Sequence, residues 1–212
     1  MSIRSCIAVL IALLKLCVCD ERYGGDLKQN EAMCARFGMN ALFDPELVLK
    51  TKWRIYYTWN LRLSFGCLDM TFKTVNPLII NRFYSDMNKH LETQPVWEAA
   101  SLLVTMGYFN HQMLLFSEPG PAGKFIGIPN ISQRAIEMLP HPASVPLLKF
   151  QLKLIRDGKF LIMMDCHIGA VSLSARYSGK PPTEEELAEA VAEAGLGEGF
   201  SACMKGKKPI QF

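Results

Sequence analysis

The sequence predicts an all-β fold: an eight-stranded antiparallel up-and-down β-barrel with a C-terminal α-helix packed outside. Three observations predict it. Short runs alternate apolar and polar residues, as in Leu148, Phe150, Leu152 and Leu154 against Lys149, Gln151 and Lys153. Turn signals such as Asp157-Gly158 separate the runs at hairpin spacing. One helical period stands near the end, where Leu187, Ala190, Val191 and Ala194 fall at i, i+3, i+4 and i+7. Sequential antiparallel strands with one apolar face can stay open as a sandwich or curl into a barrel. The barrel removes its edges and leaves an interior wide enough for one small ligand.

The elements follow in order. Residues 20–40 are polar, carry Gly24-Gly25 and show no clear period, which reads as an irregular opening segment. Phe43–Leu49 reads as a short turn of helix with Asp44 as N-cap and Pro45 at the first helical position. Lys52–Trp59 is rich in aromatic and β-branched residues, a strand with Trp53, Ile55, Tyr57 and Trp59 on one face. In Cys67–Thr74, Leu68, Met70 and Phe72 alternate with Asp69, Thr71 and Lys73, a half-buried antiparallel strand. Leu78–Tyr84, Trp97–Met106 and Gln112–Phe116 are the next expected strands, and Lys124–Ile128 briefly resumes the pattern after Pro119-Gly120-Pro121. Asn130–Pro146 is proline-rich and reads as loop. Leu148–Leu154, Lys159–Met164 and Val171–Tyr177 complete the strands. Thr183 and Glu186 then make a capping box, Glu184 and Glu185 favour the positive end of the helix dipole, and Gly195 is placed to end the helix.

Composition narrows the function classes. Half of the 212 residues are apolar, a fifth are charged, and the formal net charge is +3. That excludes a disordered tail, a collagen-like fibre and a multi-pass membrane protein. Nucleic-acid binding by phosphate neutralisation needs a basic surplus or stripe, which is absent. Arg4, the apolar run Cys6–Leu14 and the small residues before Asp20 have the parts of a secretory signal peptide over residues 1–19. The run is far short of the ~20 residues that span a bilayer. The expected mature protein, 20–212, is one secreted, extracellular domain that needs no membrane.

Without the leader, seven cysteines become four: Cys34, Cys67, Cys166 and Cys203. An even number in an oxidising compartment implies two disulfides, with three pairings open. Their separations exceed 30 residues, unlike the close ligand spacing of a metal site.

Trp53 at the start of the first strand, Arg176 at the end of the last, Pro181-Pro182-Thr183 before the acidic helix and the four widely spaced cysteines together resemble the lipocalins, and within them the secreted arthropod lipocalins of the triabin and nitrophorin type. Trp53 follows the short opening turn as the GxW tryptophan does, and Arg176 ends the last strand where the family keeps an arginine over that ring. Pro181-Pro182-Thr183 and the acidic, alanine-rich helix resemble the family's C-terminal segment, and the four cysteines are similarly placed. Thr51 replaces the GxW glycine, and Arg156-Asp157-Gly158 stands where the family has a TDY-like turn. The resemblance spans roughly residues 34–203, with its middle third matching only in strand-like composition. It implies pairing of Cys34 with Cys166 and of Cys67 with Cys203. It also implies a barrel closed by a cation–π stack of Arg176 on Trp53.

Such proteins are extracellular carriers or scavengers, so the expected partner is a small hydrophobic molecule inside the barrel. Ile55, Tyr57, Met70, Phe72, Phe150 and Leu152 are the candidate lining residues, with Tyr57 and Trp59 placed to add a hydrogen bond at the mouth. No cofactor is expected. Haem, as in the nitrophorin branch, needs an axial histidine inside the barrel, for which His90 and His111 are the candidates; His141 lies between prolines in a loop, and His167 adjoins a cysteine expected in a disulfide. A cationic amine would need a buried carboxylate at the mouth, for which Glu98 is the candidate. The alternative is a protein-binding inhibitor of a protease or receptor, using the segment 117–146 as its contact. The sequon Asn130-Ile131-Ser132 would put a glycan on that segment. Enzymatic activity is not expected: no P-loop, GxSxG, HExxH or dinucleotide fingerprint occurs. Asp165-Cys166-His167 places its neighbouring side chains on opposite faces.

Overall fold

A computed structural model describes residues 26–49, 51–63, 67–107, 111–131, 145–177 and 179–203. The leader expected over 1–19, His141 and Ser132 of the sequon lie outside them. Eight strands carry the barrel: β1 (Lys52–Trp59), β2 (Asp69–Thr74), β3 (Ala100–Met106), β4 (His111–Ser117), β5 (Lys124–Pro129), β6 (Leu148–Ile155), β7 (Phe160–Asp165) and β8 (Val171–Arg176). Each pairs antiparallel with the next, and β8 returns to β1 to close the ring. β1 meets β2 only over Lys52–Arg54. Beyond that, a ninth strand, β9 (Phe200–Ser201), pairs with Tyr57 and Thr58 of β1.

Helices differ from the sequence expectation in two places. Residues 27–38, expected to be irregular, form α1 (Leu27–Gly38), capped by Asp26. Of its buried residues, Asn30, Cys34, Phe37 and Gly38, the first, second and fourth stand four apart, at helical spacing. A polar Asn, a disulfide cysteine and a glycine take three of the four places, so no apolar stripe betrays the helix. α2 (Pro45–Val48) forms as expected, with Asp44 accepting from the backbone N–H of Glu46 at 2.9 Å.

The strand expected over Leu78–Tyr84 is instead α3 (Pro77–Met87). Asn76 accepts from the N–H of Ile79, Pro77 occupies the first turn, and Phe83 and Met87 bury one face. The capping and the i, i+4 burial override the local β-propensity of Leu78-Ile79-Ile80. Trp97–Ala99 is likewise a 3-10 turn, so β3 starts only at Ala100. α4 (Glu184–Ala194) has the expected capping box and ends at Gly195, whose φ of 65° is left-handed. None of the described helices is long and apolar enough to cross a membrane.

These helices make three apolar layers rather than one. The barrel interior gathers Trp53, Met70, Phe72, Leu102, Val104, Met113 and Leu115 with Phe125, Phe150, Leu152, Leu161 and Met163. α4 covers a second cluster on the outer face of β7, β8 and β1, including Tyr56, Phe160, Ile162, Val171 and Leu173. α3 covers a third, with Leu103, Leu114, Phe116 and Ile128 beneath Phe83 and Met87. This explains why all six residues of β7 are buried. Leu161 and Met163 face the interior, whereas Phe160, Ile162 and Met164 belong to the outer cluster, to which α1 and α4 both contribute. Burying one large side chain of this kind stabilises the fold by about 1.5–3 kcal/mol.

Candidate functional site: the barrel interior and its mouth

At the closed end, Trp53 is fully buried and pairs across the sheet with Arg176. The guanidinium stands 5.5 Å from the centroid of the indole. Trp53 Nε1 donates to the Val48 carbonyl at 3.2 Å, and Arg176 Nη2 donates to the Leu47 carbonyl at 3.1 Å. The short helix α2 is thereby fastened across the base by both members of the pair.

Of the expected lining residues, Met70, Phe72, Phe150 and Leu152 all lie in the interior cluster. Ile55 is buried and pairs with Ser174 on the inner face. Tyr57 is not inside. Ile55 pairs with Ser174 but Tyr57 with Leu173, so Tyr56 is an extra residue and the pleat reverses there. Leu173 belongs to the outer cluster, and Tyr57 packs against that cluster. The Tyr57 hydroxyl accepts from the N–H of Gly199 at 2.9 Å, and its ring meets Trp59 edge-on. Trp59 is also outside, donating Nε1 to the Gly197 carbonyl. The mouth hydrogen bond expected of these two residues is made to the segment after α4 instead.

The sequence reading missed much of the lining. β3 and β4 supply Leu102, Val104, Met113 and Leu115, β5 supplies Phe125, and β7 supplies Leu161 and Met163. β3 and β4 are continuous apolar runs buried on both faces, so no alternation in their sequence assigns either face to the interior. Around Gly127 the wall is crowded: a Cβ there would lie 2.8 Å from the Phe150 ring and 3.0 Å from Met113 Sδ.

Polar groups interrupt the interior at few points. Ser174 is fully buried, and its hydroxyl has no hydrogen-bond partner among the described residues. Toward the mouth, Thr58 pairs with Ser172 on the inner face and donates its hydroxyl to the Leu61 carbonyl. His111 opens β4 opposite Met106, two residues before the inward-facing Met113. Burial lowers the His111 pKa below its ordinary value, which favours the neutral imidazole.

The other histidines lie elsewhere. His90 sits in the 3-10 turn after α3, its carbonyl accepting from the N–H of Val145, and its neighbour Leu91 belongs to the outer cluster under α3. His167 lies in the β7–β8 turn, beside Cys166. Glu98, the expected amine partner, is exposed in the 3-10 turn that precedes β3, at the closed end rather than the mouth.

Both cysteine pairs are bonded, Cys34 to Cys166 and Cys67 to Cys203. Cys166 therefore has no thiol to pair with His167. Asp165 accepts from the backbone N–H groups of His167 and Ile168. Burial pushes its carboxyl above the usual range, against the pull of those two donors. Among the described residues no three His, Cys, Asp or Glu side chains converge as a metal site.

The segment 117–146 is not one open-end loop. Ser117 ends β4, residues 118–123 turn at the closed end, and β5 carries the chain back to the mouth. Asn130 follows β5 there, half-buried, its N–H bonded to the Gln112 carbonyl.

A separate open cleft of about 470 Å³ lies at the closed end, lined by Asp157, Lys159, Arg176, Lys180, Pro182 and Glu186 among others. Its charges are mixed, and Lys159 and Glu186 pair with one another. It therefore lacks the uniform chemistry of the interior. In comparison with known proteins, the chain matches no protein-family model and no curated protein sequence.

Proposed function

We propose that this protein is a secreted lipocalin-like carrier or scavenger that holds a small hydrophobic molecule within its barrel. One observation carries the reading: a closed antiparallel barrel whose inner wall is a continuous apolar cluster, capped at one end by Trp53 and Arg176. The leader-like residues 1–19 and the two disulfides support an extracellular setting. The methionines of the wall suit ligands of varied shape, because a thioether chain adapts where a branched one cannot.

The test is direct. Protein secreted by cultured cells is extracted into organic solvent, and the extract is examined by mass spectrometry and absorption spectroscopy. A stoichiometric apolar molecule, displaced by substitution of Phe72 or Leu152 with a charged residue in a still-folded variant, is the expected result. An empty extract, with no apolar fluorescent probe taken up, overturns the reading. A haem spectrum would assign a cofactor.

A second reading is favoured by the crowding around Gly127, where Phe150, Met113 and Leu115 leave no room for even one more methyl group. There the wall behaves as packed core. A protein that grips a protease or receptor through its open-end connections needs nothing more of its barrel than rigidity. Loss of partner inhibition on exchanging the β5–β6 connection, with the interior untouched, would select this reading.

A further inference from the structure

Three neighbouring strands bring soft donor atoms into one row that starts beside Trp53 and runs to the first residue of β4 at the mouth. Met70 of β2 pairs directly with Met106 of β3, and Met106 pairs directly with His111 of β4. All three fall on the inner face. Met70 lies within the interior cluster, Met106 packs against it, and His111 has the same parity as Met113 and Leu115. Directly opposed residues on antiparallel strands hold their Cβ atoms ~4.5–5.5 Å apart. A methionine adds three rotatable bonds beyond that point, so two thioethers and an imidazole can converge on one atom between them.

We propose that Met70 Sδ, Met106 Sδ and one ring nitrogen of His111 form a site for a soft monovalent metal ion, copper(I) by chemistry. Thioether sulfur selects copper(I) over hard cations, and imidazole complements it. Charge also selects the monovalent ion. All three donors are neutral, and the row carries no carboxylate. The adjacent Asp69 is engaged elsewhere: Arg54 donates to both its oxygens, at 2.6 and 2.9 Å, and Lys52 Nζ lies at 2.8 Å. A divalent ion in this partly desolvated mouth would keep its second charge uncompensated. Met106 and His111 are half-exposed, while Met70 is buried on the inner side. The site shares Met70 with the apolar inner wall, whereas Met106 and His111 lie at the rim, so loss of copper binding on Met106→Leu with apolar-probe uptake intact separates the two readings.

Met113 supplies an internal control. It lies two residues along from His111 on the same face, but its sulfur is turned to Gly127 on β5, 3.0 Å from where a Cβ would stand there. It is outside the donor row.

The experiment uses the full chain, oxidatively folded, with Cys6, Cys17 and Cys19 replaced by serine so that no thiol competes. Copper(I) is titrated anaerobically against a chromophoric copper(I) chelator, with silver(I) as a redox-inert second probe. One equivalent is expected to bind, shifting the methyl resonances of Met70 and Met106 and the ring resonances of His111. Met106→Leu, Met70→Leu and His111→Gln should each weaken binding at least tenfold, and Met113→Leu should leave it unchanged. Leucine conserves the volume of methionine, so a variant that keeps the wild-type circular dichroism and Tm reports on the sulfur alone. No uptake overturns the proposal. So does uptake indifferent to the three substitutions, or a preference for zinc(II) over copper(I).

Discussion

Arg176 lies over Trp53, its guanidinium 5.5 Å from the indole centroid, and the two side chains donate to consecutive carbonyls, Leu47 and Val48, of one short helix. β1, β8 and α2 are joined at a single point. Replacing Arg176 with alanine removes a charged hydrogen bond and the contact with the ring, and should cost about 2 kcal/mol. Trp53→Ala adds the loss of a fully buried indole, about 3–5 kcal/mol. Urea denaturation checks both, and the double variant should cost less than the sum. Additive costs would mean that the pair does not act as a unit.

The bulge at Tyr56 separates two kinds of residue on one strand. Tyr57→Phe should lower stability by roughly 0.5–1.5 kcal/mol, because it leaves the N–H of Gly199 without its acceptor. It should leave the affinity for an apolar probe unchanged. Phe72→Ala, on the inner wall, should alter probe affinity as well as stability. An affinity change for Tyr57→Phe, measured by fluorescence titration, would put the bulge in doubt.

The disulfides close loops between cysteines 132 and 136 positions apart. Removing either pair with serines should cost on the order of 3–5 kcal/mol. Loss of Cys34–Cys166 should in addition free α1, since Asn30 and Cys34 are its buried ties to the β7–β8 turn. Limited proteolysis should then cut within Leu27–Gly38 before the barrel unfolds. Equal protection of α1 in both disulfide variants would contradict this.

Two carboxylates give opposite pH dependences. Asp69 is held below its ordinary pKa: burial pushes it up, but the hydrogen bonds from Arg54 and Lys52 outweigh burial. Its stabilising contribution is present above the unfolded pKa and fades as pH falls through the lowered folded value. Asp165 is raised by burial, against the pull of the His167 and Ile168 N–H groups. The native state then holds its proton longer than the unfolded chain. Stability from this group is full below the unfolded pKa and declines as pH rises through the folded one. Asp165→Asn keeps the acceptor oxygen for both N–H groups and should remove that decline from a plot of Tm against pH. Parallel profiles for wild type and variant would refute the assignment.

Residues with strictly local causes were legible in the sequence. The Asp44-Pro45 helix start, the Thr183 and Glu186 capping box, the alternation in β6 and the turn at Asp157-Gly158 depend on neighbours a few positions away. The shared inward orientation of Met70 with Phe72, and of Phe150 with Leu152, was legible because period two alone puts each pair on one face of its strand. The disulfide pairing and the partnership of Trp53 with Arg176 came from family resemblance, since no local pattern specifies a contact across so many residues.

Tertiary structure decided the rest. Leu78-Ile79-Ile80 suits a strand locally, yet the outer face of β3, β4 and β5 needed cover, and burying Phe83 and Met87 made the segment helical. Residues 27–38 look irregular because their helix docks through an amide and a disulfide. One extra residue at Tyr56 turned Tyr57 from wall to exterior, an outcome composition cannot encode because a side chain's face depends on its strand's partner. By the same reasoning the sequence named His111 as a histidine near a strand, and only the register set it in line with Met106 and Met70. Local chemistry determined which elements could form; cross-strand pairing, which exists only in the closed barrel, decided which side chains meet.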